Sequence, residues 1–175
     1  MNAIGVAGAV CVAVVACAAP SSARWQDAFG DAAAITQFQR SVDAYAFQHR
    51  QVQRRLGEAV DQHAMAAAMR AVRPAAADGD FFTPIIAAAF RSRIAIALRT
   101  QGCKIATPGT LSFEVPRVGT SAIAHAVPSC LIGVLPRLPE ELEYRAASVA
   151  LILLDTHAKM VVDVLHGAFP PPEDR

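Results

Sequence analysis

The side chains with the clearest chemical potential lie near the C-terminus, where carboxylates and imidazoles cluster at Asp155, His157, Asp163 and His166. Such groups bind transition metals, and imidazole also serves as a general base near neutral pH. The apolar runs around them predict a β-hairpin with Asp155 and His157 at its turn. A strand rises about 3.3 Å per residue, so the other pair would lie about 20 Å away, which excludes one metal site made of all four. We expect Asp155 to form an Asx-type turn and His157 to be an exposed turn residue.

The remaining histidines offer no clear ligand set. His49 lies in an apolar helical pattern, which predicts a core histidine with a hydrogen-bonded ring. His49 and His63 would stand about 21 Å apart along one helix, too far to share an ion. The sequence therefore predicts no metal site and no cofactor. The functional candidates are His157, Asp155 and His125, and a pocket of convergent polar groups near His125 or His157 would favour an enzyme.

Common catalytic signatures are missing. The sequence has no GxSxG, HExxH, CxxC, Walker A or GxGxxG motif, so we assign no catalytic residue and favour a non-catalytic protein. With 16 basic and 15 acidic residues, the chain lacks the basic excess of a nucleic-acid-binding protein. Arg50, Arg54 and Arg55 form a basic patch that we interpret as a solvated helix face. The alternative is contact with an anionic partner such as phospholipid headgroups or a cell-wall polymer.

The first segment of the chain predicts export. Residues 1–23 carry no Lys, Arg, Asp or Glu, and their apolar core is too short to span a bilayer comfortably. Ser21 and Ala23 give a small-x-small cleavage pattern, so we expect a signal peptide over 1–23 and a mature periplasmic or secreted protein that begins at Arg24. One alternative is a loose lipobox ending at Cys17, which would make a membrane-anchored lipoprotein. Another is a buried N-terminal helix.

Two cysteines, Cys103 and Cys130, remain after the predicted leader. In an oxidising compartment they most simply form one disulfide, which predicts that their Cα atoms lie within about 7 Å of each other. The alternative is two separate buried thiols.

The predicted secondary structure that positions these residues is helical in the first half of the chain and combines strands with a short helix in the second half. Apolar residues recur at spacings of three and four over 31–56, which predicts one buried helical seam: Ile35, Phe38, Val42, Tyr45, His49, Val52 and Leu56. A second helix is predicted over about 58–72. A third is predicted from Pro84, with Thr83 as its N-cap and Gly102 as its C-cap.

The second half predicts strands. Alternation over 111–115 predicts a half-buried strand, 129–135 a short helix, and 143–145 a short strand. The clearest signal is a hairpin of 149–154 and 160–165, whose first strand we expect to be covered on both faces. We expect Leu151, Leu153, Val162 and Val164 to meet a helical stripe of Ile86, Phe90 and Ile94. The fold class is thus α+β, with about three N-terminal helices packed on a small antiparallel C-terminal sheet. It forms one domain over 24–168, followed by a flexible tail over 169–175.

The combination of these segments resembles a group of small exported bacterial proteins of unknown function. The resemblance rests on Phe82-Thr83-Pro84, LPEELEYR over 138–145, Leu151 to Asp155 with His157-Ala158, and Val162 to Leu165. It spans most of the mature chain and implies no activity. The hairpin alone resembles that of the periplasmic nickel/cobalt-homeostasis family. This chain lacks that family's Gly before Tyr144 and its His-bearing N-terminal segment, so no metal ligand is carried over.

Taken together, the sequence predicts a non-catalytic periplasmic or envelope-associated protein that binds another molecule. The predicted partner is an envelope protein or ligand of unknown identity, with no nucleic acid and with membrane contact only through a lipid at Cys17. The alternatives are a periplasmic enzyme without a sequence motif and a metal-responsive periplasmic protein.

Overall fold

The structure, a computed structural model, describes residues 22–57, 60–73, 79–100, 102–103, 115–121 and 124–170. Most of the predicted leader with Cys17, most of the predicted strand over 111–115 and residues 171–175 of the predicted tail lie outside these residues. The prediction that the flexible tail begins at Phe169 is wrong, because this side chain is buried in the main core and its N–H donates to the carbonyl of Val149. The described elements are α1 (Ser22–Leu56), α2 (Gln62–Val72), α3 (Pro84–Thr100), β1 (His125–Ala126), α4 (Ser129–Ile132), β2 (Leu142–Ala147), β3 (Ala150–Asp155) and β4 (Met160–Leu165). Helices dominate the first half and one antiparallel sheet the second, which confirms the α+β class.

The three longer helices occur where the sequence predicts them, but α1 begins earlier, at Ser22, and the prediction that Leu56 belongs to the buried seam is wrong because this side chain is exposed. The seam of α1 is buried at Phe38, Val42 and Tyr45, and α1 packs against both α2 and α3. Asp31 on α1 and Arg93 on α3 form an ion pair of 2.6 Å. This pair joins the N-terminal part of one helix to the C-terminal half of the other, as expected for antiparallel neighbours.

The helix starts are set by local hydrogen bonds. Helix α2 begins four residues later than predicted because the Asp61 carboxylate accepts the N–H groups of His63 and Ala64 as an N-cap. Helix α3 begins at Pro84 as predicted, and the Thr83 carbonyl accepts the N–H of Ala87 at 2.8 Å. The prediction that the Thr83 hydroxyl caps the helix is wrong. That hydroxyl is buried and makes no hydrogen bond within the described part of the chain.

The sheet has the order β1-β2-β3-β4, with every neighbouring pair antiparallel. One face of the central hairpin joins the helices in the main core. The other face is covered by Val115, Val118 and Ala124. All residues of β3 are buried, which confirms that this strand is covered on both sides.

A β-bulge in the hairpin changes which side chains face the helices. Leu153 pairs with Asp163 while Leu154 pairs with Val161, so Val162 is an extra residue on β4. In a regular strand two residues three positions apart face opposite sides, but the bulge interrupts this alternation, so Val162 and Leu165 both join the helix-facing core. Val164 lies in the cluster on the opposite face, so the predicted contact of Val164 with the helices is wrong.

Cys103 and Cys130 form the predicted disulfide, with their Cα atoms 6.1 Å apart. This bond fastens the segment that follows α3 to the short helix α4. Among the described residues, no helix combines the length and the apolar character needed to cross a membrane.

Candidate functional site

A cluster of possible metal ligands lies where α1 meets the turn between β3 and β4. It contains His49 from the buried seam of α1, Asp155 from the last position of β3, and His157 from the turn. One ligand atom from each side chain lies within 4.8 Å of the others, and the two imidazole rings are 5.1 Å apart between centroids. His49 and Asp155 are fully buried, whereas His157 is exposed.

The carboxylate of Asp155 is held by both the turn and the helix. Its Oδ1 accepts the N–H groups of His157 at 2.9 Å and Ala158 at 2.7 Å, which confirms the predicted Asx-type turn. Its Oδ2 accepts the hydroxyl of Tyr45 at 2.6 Å. Burial opposes ionisation of Asp155, but the nearby His49 ring, the Tyr45 hydroxyl and the Ala158 N–H outweigh it and lower the pKa of the carboxyl.

Tyr45 remains a hydrogen-bond donor in this arrangement. Burial, followed by the negative charge of Asp155, raises the pKa of Tyr45 far above its ordinary value. The phenol therefore stays protonated at all physiological pH values and fixes Oδ2 of Asp155 in one position.

His49 is the unusual member of the cluster. Its Nε2 lies 3.4 Å from Oδ2 of Asp155 but lacks the geometry of a hydrogen bond. His49 is the core residue that the sequence predicts, but neither of its ring nitrogens has the predicted hydrogen-bond partner in the described part of the chain. A buried polar group without a partner costs about 1–3 kcal/mol, and such groups commonly bind a water molecule or an ion.

Glu141 and Arg50 flank the cluster. Oε1 of the buried Glu141 accepts from Nη1 of Arg50 at 2.7 Å, and Oε2 has no partner in the described part of the chain. The backbone carbonyl of Glu141 accepts the N–H of Thr156 at 2.9 Å, between the two ligands Asp155 and His157. Glu141 therefore ties the hairpin turn to the start of β2 and, through Arg50, to α1.

The geometry suits a four-coordinate transition metal. Metal–ligand bonds of about 2.0–2.2 Å place tetrahedral ligand atoms about 3.3–3.6 Å apart. The separation of 3.4 Å between His49 Nε2 and Asp155 Oδ2 already has this value. All three ligand atoms lie within 4.8 Å of one another, and His157 is the exposed member of the set. Two imidazoles and one carboxylate favour zinc, nickel, cobalt or copper over magnesium or calcium, and they leave one coordination position open.

The structure brings two of the three sequence candidates together and leaves the third apart. Asp155 and His157 belong to the cluster. His125 lies exposed on the edge strand β1, paired with Ala146 at the end of β2 that is remote from Asp155. Sequence reasoning missed His49 as a member of the site, although its polar ring within an apolar seam was a visible signal.

No family model, no curated protein and no solved structure matched this chain in comparisons with known proteins.

Proposed function

We propose that this chain is an exported metal-binding protein that holds one divalent transition-metal ion, of the zinc type, between His49, Asp155 and His157. The observation that carries the proposal is the fully buried His49 ring. Both its nitrogens lack a partner within the described residues, and it faces a carboxylate and a second imidazole with all three ligand atoms within 4.8 Å. This proposal departs from the sequence prediction of no metal site and takes up its alternative of a metal-responsive periplasmic protein.

The surroundings support a metal ligand role for Asp155 in particular. Ligating carboxylates are usually hydrogen-bonded by outer groups that fix their orientation. Here the Tyr45 hydroxyl and two backbone N–H groups do so, and each oxygen keeps its own set of donors. The lowered pKa of Asp155 also supports a ligand that is ionised before the metal arrives.

The metal proposal is tested by isothermal titration of the purified, chelator-treated protein with Zn²⁺, Ni²⁺ and Ca²⁺. We expect one equivalent of Zn²⁺ or Ni²⁺ to bind and Ca²⁺ not to bind. Loss of a group that only orients a ligand typically weakens metal binding about 10–100-fold. His157→Ala removes a ligand itself and should weaken binding by more than that. His125→Ala is the matched control, because it removes another exposed histidine that lies outside the cluster. Absence of stoichiometric binding, or equal losses in the two variants, would contradict the proposal.

Export is a separate part of the proposal and rests on the charge-free apolar segment over 1–23. Mass spectrometry of the protein from its host should find a chain that begins at Arg24 and lies in the periplasm or the medium. A chain acylated at Cys17 would keep export but make the protein a lipoprotein. A cytoplasmic chain that begins at Met1 would contradict export and leave the metal site unaffected.

A further inference from the structure

The outer face of α1 carries an exposed row in which basic and aromatic side chains alternate. Arg40, Phe47 and Arg54 follow one another at intervals of seven residues, which places them along one side of the helix at steps of about 10.5 Å. This side is opposite the buried seam that contains Phe38 and Tyr45, because half a turn separates the two sets. All three side chains of the row are exposed, and Phe47 is 58 % accessible.

The charge around this row is predominantly positive. Arg55 is exposed beside it, and Arg50 keeps 49 % of its side chain accessible although it pairs with the buried Glu141. Phe47, Arg50 and Arg54 also line a groove of about 590 Å³ together with Gln53 and Gly57. Among the described side chains of α1, the carboxylates are Asp43 and Asp31, and Asp31 already pairs with Arg93.

We propose that this outer face of α1 docks on an anionic phospholipid surface, with the arginines on the headgroups and Phe47 in the boundary between headgroups and acyl chains. The pattern favours a membrane over a soluble polyanion, because a polyanion offers no apolar phase for an exposed aromatic ring between two cations. The row also lies on the helix that begins at Ser22, five residues after Cys17. If the chain is lipidated at Cys17, as in the lipoprotein alternative, this helix follows the lipid anchor closely. The inference is independent of the metal site.

The test is cosedimentation of the full chain, purified as its host processes it, with two kinds of vesicle. One contains equal parts of phosphatidylglycerol and phosphatidylcholine, and the other contains phosphatidylcholine alone. The measured quantity is the ratio of the two partition coefficients, because a lipid at Cys17 raises both equally. We expect a clear preference for the anionic vesicles that declines with added salt.

Two pairs of variants separate the proposed face from the rest of the protein. Arg40→Glu combined with Arg54→Glu should reduce the preference about tenfold or more, because each cation near an anionic surface contributes to binding. Arg117→Glu combined with Arg137→Glu makes the same change in net charge at exposed positions elsewhere and should reduce the preference much less. Phe47→Ala should weaken binding to anionic vesicles, whereas Ile85→Ala, with the same 58 % exposure on α3, should not.

Three results would overturn the proposal. Equal losses in the two double variants would mean that only net charge matters. Unchanged binding of Phe47→Ala together with competition by soluble polyphosphate would assign the face to a polyanion. Absence of any preference for phosphatidylglycerol, with the variants folded by circular dichroism, would remove the membrane as the partner.

Discussion

The hairpin contains two fully buried carboxylates, Asp155 and Asp163, which differ in the hydrogen-bond donors that surround them. Each oxygen of Asp163 accepts two backbone N–H groups: Oδ1 those of Gly79 and Val164, and Oδ2 those of Phe81 and Phe82, all at 2.7–2.8 Å. Asp155 also has two backbone donors, but both are on Oδ1. Its Oδ2 accepts a side-chain hydroxyl and faces a histidine that has no hydrogen bond in the described part of the chain.

The difference separates a structural carboxylate from a binding one. Both oxygens of Asp163 are fully used by these four donors, and through them the carboxylate fastens the loop before α3 to β4. Asp155 is held firmly on one oxygen while the other oxygen points to an imidazole at the distance that a metal would require. Both residues are fully buried, so the number and the kind of donors are what distinguish their roles.

The largest expected effect is on stability at Asp163. Asp163→Ala leaves buried N–H groups of the 79–82 loop without an acceptor and should lower the free energy of unfolding by about 3–5 kcal/mol. Urea denaturation measures this. Asp61→Ala is the matched control, because Asp61 also accepts two backbone N–H groups but is exposed, and it should lower the free energy of unfolding much less. Equal losses in the two variants would contradict the structural role of Asp163.

The next largest effect is at His49, where a substitution should raise the stability of the metal-free protein instead of lowering it. His49→Leu removes the two unpaired ring nitrogens and should raise the stability of the metal-free protein by about 1–2 kcal/mol. The wild-type protein should gain about 2.7 kcal/mol when Zn²⁺ is present at a hundredfold excess over its dissociation constant, and the variant should gain nothing. Thermal denaturation with and without Zn²⁺ measures both quantities. A variant that is less stable without metal would show that the ring is hydrogen-bonded through water instead.

Tyr45 should affect metal affinity more than stability. Tyr45→Phe removes the hydroxyl that fixes Oδ2 of Asp155 and should weaken Zn²⁺ binding about tenfold, as for other outer groups of metal sites. Tyr144→Phe makes the same chemical change at another buried tyrosine, whose hydroxyl donates to the carbonyl of Pro136. Titration calorimetry should find the affinity of this control unchanged, and a similar loss in both variants would argue against a specific role for Tyr45.

The smallest effect concerns acid stability. Because folding lowers the pKa of Asp155 below the ordinary value of 3.8, the stabilisation it provides is present above that pH and is lost as the pH falls through the folded-state pKa. In chelator-treated protein, Asp155→Asn should flatten the dependence of the unfolding free energy on pH in this range. Urea midpoints measured at a series of acidic pH values test it, and an unchanged slope would show that Asp155 does not contribute.

The parts of the structure that were predicted correctly depend on short sequence separations. The Asx-type turn needs only Asp155 and the next three residues, and the start of α3 needs only Pro84 and the residues after it. The seam of α1 follows from a spacing of three and four. The β-bulge at Val162 was missed because a run of apolar residues on both faces gives no alternation from which a register could be deduced.

By itself the sequence determined the α+β class, the disulfide, the ends of α1 and α2, the start of α3 and the hairpin turn that presents Asp155 and His157. Only the tertiary structure decided that this turn lies against His49, because the hydrogen bond from Tyr45 to Asp155 joins residues 110 positions apart. Helix periodicity specifies which side of α1 is buried, but it does not specify what that side is buried against. The partner of each seam residue is set by how helices and sheet pack, and at His49 that packing placed an unpaired imidazole beside a carboxylate and a second histidine.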